Sequence, residues 1–263
     1  MSSFSTQKQD KIITFAVQNY RKMTTAKKIE QIVSKFPEDF VFTYRDLGLT
    51  AEDSANVIKK LNRLAESGAI SKLSKGRYFK PKKSMFGALN PSVEEVVKDL
   101  LVKNGKIIGY LTNYSVYNQL GLTSQIPNTI VIGSNTKRSK TRRGNTEIRF
   151  VLQRNEITKA NIYLLQLLDV IKSIKSIPDR SIDKSCARLL VLLTELSERQ
   201  TTTLIRLALL YPPRVIALLG ALLQQIGCKL DLSALRDRLN PISSYNYGIS
   251  QTVLSFSQQW KIK

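Results

Sequence analysis

The chain has 263 residues, 42% of them hydrophobic and with aromatic side chains throughout, which excludes a disordered polyelectrolyte and leaves room for two compact domains. Lys and Arg number 41 against 20 acidic residues, and a net charge of +21 attracts polyanions: DNA, RNA or an anionic membrane surface. With no histidine, and with Cys186 and Cys228 far apart, the sequence excludes a Cys/His zinc site and a catalytic histidine; the cysteines read as reduced core thiols.

The first residues, MSSFSTQKQD, carry no apolar leader. Ile12, Phe15, Ala16 and Tyr20 fall at helical spacing, and so do Ile29, Ile32, Val33 and Phe36, with Pro37 ending the second helix. Phe40, Val41 and Phe42 form a short apolar run. Thr43 then caps a short helix through Leu47, and Gly48 turns the chain. Thr50 caps a third helix, with Glu52 and Asp53 in the first turn where the helix dipole favours acid. Val57, Ile58, Leu61, Leu64 and Ala65 make its apolar stripe, and Gly68 ends it. Ala69–Leu73 and Arg77–Phe79, joined by Ser74-Lys75-Gly76 and closed by Pro81, read as a β-hairpin.

Helix, short helix, tight turn, longer helix and hairpin in that order describe a winged helix-turn-helix over residues 1–83, with the third helix in the major groove of double-stranded DNA and the hairpin as wing. Lys59, Lys60, Asn62 and Arg63 on the helix are the candidate DNA contacts, as are Lys72, Lys75, Arg77 and Lys80 on or near the wing. Lys59 and Arg63 lie on the outward side, Asn62 between that side and the apolar stripe. Ser54 and Asn56 are outward polar groups that serve equally well as plain helix surface. The alternative for the whole domain is a winged helix that docks on protein.

Residues 84–157 read as mixed α/β. Val93–Val102 is a helix, Lys106–Thr112 a strand, and Asn113 caps a helix through Leu120. Asn128–Gly133 is a β-branched strand with Glu147–Leu152 as its partner. The segment 135–146 between them reads as an exposed hairpin tip, and Lys137, Arg138, Lys140, Arg142 and Arg143 make it a second basic patch. Three readings stand for it: a phosphate-contacting element, a docking patch for an acidic partner, or a solvated loop.

Residues 158–263 read as helical, with helices at Thr158–Ile174, Ser185–Leu196, Thr201–Leu210, from Pro212-Pro213 to Gly227, and at Leu232–Leu239. The fourth is apolar on all sides over Val215–Leu223, so it belongs in the middle of a bundle. That run is too short to span a bilayer, so a cytoplasmic protein without a membrane partner is expected. The fold class expected is α+β. No phosphate-binding GxxxxGKS/T loop, GxSxG or HExxH is present. The expectation is therefore a non-enzyme without catalytic residues, metal or cofactor.

The hairpin segment Gly68-Ala-Ile-Ser-Lys-Leu-Ser-Lys-Gly-Arg-Tyr-Phe-Lys-Pro81 resembles the wing of AbiEi-type antitoxins of type IV, abortive-infection toxin–antitoxin systems. Gly109-Tyr-Leu-Thr-Asn-Tyr-Ser-Val-Tyr-Asn-Gln-Leu-Gly-Leu-Thr-Ser-Gln-Ile-Pro-Asn128 is similar to the segment after the DNA-binding domain in a subfamily of these proteins. The tail Leu239–Gly248, with Trp260 near the end, also resembles that subfamily. The resemblance implies an antitoxin that represses its own operon by binding inverted repeats in its promoter, with Lys59, Lys60, Arg63, Lys75 and Arg77 at the basic helix and wing positions. It implies that residues 84–263 counteract a nucleotidyltransferase-like toxin, with direct contact left open. The segment before Lys27 is longer than a minimal winged helix needs. The other function considered is a stand-alone transcriptional regulator whose C-terminal domain senses a ligand or dimerises.

Overall fold

The computed structural model describes residues 24–48, 54–85, 87–125 and 128–263. The expected helix over Ile12–Tyr20, the N-terminal extension and the Thr50 cap with Glu52 and Asp53 lie outside the described residues. The chain is α+β and packs as two compact units that divide at Val97/Lys98, whereas the sequence places the division at residue 83.

In the first unit, helix α1 (Thr25–Lys35) buries Ile29 and Val33, one turn apart. Strand β1 (Val41–Phe42) leads into a 3₁₀ turn, Tyr44–Leu47. Asp46 closes this turn by accepting from both the amide (2.7 Å) and the hydroxyl (2.8 Å) of Thr43. Helix α2 (Ser54–Glu66) buries Val57 and Leu61. Ile58, expected in that stripe, is 36% exposed, because it lies about 100° round the helix from Val57. Strands β2 (Ser71–Ser74) and β3 (Arg77–Phe79) form the hairpin, and β1 pairs antiparallel with β3, giving a three-stranded sheet in the order β1-β3-β2. The turn places Gly76 at φ 71°, a left-handed position that a side chain would strain. Phe42, Leu47, Ile70 and Tyr78 complete the core under the two helices. A two-residue ribbon, β4 (Lys83–Ser84) with β5 (Gly87–Ala88), follows. The division between units falls inside helix α3 (Val93–Leu101).

The second unit begins with a tight ribbon, β6 (Val102–Lys103) on β7 (Lys106–Ile107), so the single strand expected at Lys106–Thr112 is two, with β8 at Tyr110–Thr112. A one-turn helix, α4 (Tyr114–Tyr117), precedes β9 (Thr129–Ser134). Strand β11 (Thr146–Leu152) pairs with β9 as expected, but parallel, so the two are not a hairpin. Parallel neighbours need a crossover, and here it carries a strand of its own, β10 (Thr141–Arg143), antiparallel on the far side of β11. The sheet order is β10-β11-β9-β8.

Helices α5 (Ile162–Lys172), α6 (Ile182–Thr194), α7 (Glu198–Ala208), α8 (Pro213–Gln225) and α9 (Ser233–Arg236) follow. Ser181 and Ser197 cap α6 and α7 with their hydroxyls, and Pro213 opens α8. α8 is buried throughout Val215–Leu223 and packs on α5, α6, α7 and α9, in the central place its apolar circumference predicts. Cys186 is buried, Cys228 is partly so, and both thiols are free. No helix among the described residues is long and apolar enough to cross a membrane.

Candidate nucleic-acid interface

The outward side of α2 carries Lys59 and Arg63, four residues apart and so one above the other on the same face; both are exposed, as is Asn56. Ser54 is half-buried. On the hairpin, Lys72 in β2 and Lys75 in the turn are exposed, and Arg77 at the start of β3 is half-buried. These side chains give the first unit a helix and a neighbouring ribbon that both present cations.

Three of the expected contacts have structural duties instead. Lys60 forms an ion pair with Glu30 of α1, and its side chain is only 23% exposed. Asn62 accepts a hydrogen bond from the buried Tyr78 hydroxyl at 2.8 Å, so its amide ties α2 to β3. Burial pushes the Tyr78 phenol upward and keeps it a neutral donor. Lys80 donates to the carbonyls of Ser34 (3.2 Å) and Phe36 (3.3 Å), at the C-terminal end of α1, where carbonyls lack helical partners and the dipole favours a cation.

The basic segment 135–143 does not act as one patch. Arg143 is buried and grips the Asp99 carboxylate through two bonds of 2.6 and 2.8 Å, fixing β10 to α3. Thr141 and Arg142 before it in β10 are exposed, so the Asp99 pairing and not strand alternation accounts for its burial. Lys140 lies 3.9 Å from Glu147, and Arg138 stands over the Phe150 ring at 5.5 Å. Lys137, Lys140 and Arg142 remain exposed.

The sequence reading singled out no residue of a buried polar cluster in the second unit. Asp169 of α5 accepts from Tyr110 (2.7 Å), Thr112 (2.6 Å) and Tyr211 (2.8 Å). The Gln153 amide donates to both tyrosine oxygens at 2.8 Å. Burial pushes the Asp169 carboxyl upward, against the downward pull of its three hydroxyl donors, and raises both phenols. An acid within the apolar run Leu164–Ile171 is the signal that marks it, because such a residue must find partners to be buried.

The fold and this face define an α+β protein whose first unit exposes cations on a helix and a ribbon. The chain belongs to DUF6088, a family of unknown function, whose model matches residues 27–200. No curated protein matches it in sequence. Among solved structures, the crystal structure of the Rv2827c protein from Mycobacterium tuberculosis is similar, with a TM-score of 0.54 at 15% identity, covering 85% of this chain and 84% of that chain. At that identity the likeness is one of fold.

Proposed function

We propose that the first unit is a winged helix-turn-helix that binds double-stranded DNA, in an antitoxin of the AbiEi type that represses its own operon and counteracts a nucleotidyltransferase-like toxin. The carrying observation is the pair Lys59 and Arg63, exposed on one face of α2 beside the exposed Lys72 and Lys75 of the hairpin. The element order and the β1-β3-β2 sheet suit this reading: α1 and the 3₁₀ turn buttress α2, leaving its outer face clear for the major groove, and the ribbon reaches the flanking backbone. The contact set is narrower than the sequence suggested. Lys59, Arg63, Lys72 and Lys75 would meet DNA with Arg77 beside them, while Lys60, Asn62 and Lys80 hold the unit together. The antitoxin half of the proposal rests on the resemblance of the hairpin, the 109–128 segment and the tail.

The test is a fluorescence-anisotropy titration of promoter DNA from its own operon with the full chain. Lys59→Ala/Arg63→Ala should weaken binding by about 1–3 kcal/mol per lost contact. Unchanged affinity removes α2 as the reading helix. Co-expression with the neighbouring toxin gene tests the second half: the same double variant should still rescue growth, and failure of the wild-type chain to rescue refutes the antitoxin assignment.

A further inference from the structure

The second unit carries a pair of adjoining cavities that the DNA-binding reading does not use. The end of β11, the last turn of α5 and the turn between α7 and α8 enclose about 450 Å³, within the ~300–1,000 Å³ range of small-molecule sites. Its floor is polar and rigid, because Gln153, Tyr211 and Asp169 belong to the buried hydrogen-bonded cluster. Part of its wall is apolar: Leu152 and Leu210 are 46% and 48% exposed, and Pro212 and Pro213 also line it. Two half-exposed leucines facing one cavity are surface that a ligand would remove from water.

The charge around this space is unbalanced. Arg154 and Lys172, both exposed, line it, and neither has a carboxylate within ion-pair distance among the described residues. Lys172 also lines a second cavity of about 240 Å³ with Lys175 and Arg214. Neutral groups position those last two cations: Arg214 donates to the Lys172 carbonyl at 2.7 Å, and the Lys175 ammonium stands 5.8 Å over the Tyr247 ring. A cation held by a carbonyl or a ring keeps its full charge for an incoming anion. The one acid lining either cavity is Asp169, whose oxygens already accept three hydroxyl bonds.

A cavity that joins exposed leucines to a polar floor, and that shares Lys172 with a neighbouring group of cations, is the division of labour that a base and its phosphates require. We infer that the paired cavities bind a nucleoside phosphate, with the base between Leu152 and Leu210 and the phosphates on Lys172, Lys175 and Arg214. An acidic peptide would satisfy the cations but leave no reason for the walled cavity next to them. A free nucleotide and the end of a single strand share this chemistry, and the test separates them.

The full chain is titrated calorimetrically with ATP, GTP, CTP and UTP, with single-stranded trinucleotide RNAs, with tripolyphosphate and with a Glu-rich peptide. Wild type is compared with Lys172→Ala/Lys175→Ala, with Leu210→Ala, and with Lys229→Ala, an exposed lysine that lines neither cavity, as a control. At least one nucleotide probe should bind, more tightly than tripolyphosphate, with affinity lost by about tenfold or more in Lys172→Ala/Lys175→Ala and kept in the control. Binding of a mononucleotide identifies a free nucleotide as ligand; binding of the trinucleotide alone identifies a strand end. Leu210→Ala should weaken the nucleotide and leave tripolyphosphate unaffected, a split that general unfolding would not produce. The inference is overturned if no nucleotide probe binds at millimolar concentration, if tripolyphosphate or the peptide binds as tightly, or if Lys172→Ala/Lys175→Ala leaves affinity unchanged.

Discussion

Gly220 shows how one side chain's absence sets the sign of a substitution. Replacing glycine by alanine inside a helix ordinarily gains about 0.5–1 kcal/mol. Here the added carbon would lie 2.1 Å from the ring of Trp260, which is fully buried and donates to Gln224 at 2.7 Å, so the ring cannot yield cheaply. Overpacking costs about 1–3 kcal/mol, so Gly220→Ala should be net destabilising. The denaturant midpoint should fall, followed through the fluorescence of this single tryptophan. Asp169 gives a second test. Asparagine there would turn an amide donor toward a hydroxyl donor, at a cost of about 1–3 kcal/mol. Burial holds the folded carboxyl above the ordinary range, so its neutral form is the one folding favours. Its contribution is complete below a pH of about 4 and is lost as pH rises through the folded value. The stability gap between wild type and Asp169→Asn should therefore be widest in acid and narrow toward neutrality; a gap that widens with pH contradicts this account.

At the scale of elements, several cations that read as ligand contacts are joints between secondary structures. Lys80 closes the end of α1, so Lys80→Met, which keeps the stem and removes the ammonium, should cost about 0.5–1 kcal/mol of stability. DNA affinity should change less than in Lys59→Ala/Arg63→Ala, and a larger loss of affinity would return Lys80 to the interface. Helices α1, α2, α3 and α5 to α8 were legible from their apolar residues because each buries one stripe or, for α5 and α8, successive residues on all sides. The strand pair β9 and β11 was legible too, since β-branched runs suit a pleated surface. Their direction was not: pairing sense depends on where the connecting chain travels, and only the packed sheet puts β10 on the far side of β11. The duties of Lys60, Asn62, Lys80 and Arg143 were hidden for a related reason. Glu30, Tyr78, Phe36 and Asp99 lie 16 to 44 residues from them in sequence.

For the whole molecule, the charge of +21 draws any polyanion, and the two units differ in how they would use it. On duplex DNA each neutralised phosphate contributes a slope of about 0.9 to the salt dependence of log affinity. Lys59→Ala/Arg63→Ala should make that slope shallower by up to about 1.8, each contact that reads a base rather than a phosphate reducing the change. A slope equal to that of wild type means that neither side chain meets the backbone.

The sequence by itself determined the composition of the protein's surface field, the order of its longer helices, the wing hairpin and the β9 and β11 pair, the central place of α8, and the segments, Gly68–Pro81 first among them, that carry the resemblance to DNA-binding antitoxins. These follow from charge and from local periodicity, which neighbouring residues settle among themselves. Only the tertiary structure decided which cations are free. Periodicity tells an outward residue from an inward one, but not whether an acid, a carbonyl or a phenol from a distant segment waits there. It also brought Asp169, Gln153 and Tyr211 together under a cavity whose walls come from three separate segments of the second unit. A concave site is a property of packing between elements, and no single stretch of chain contains it.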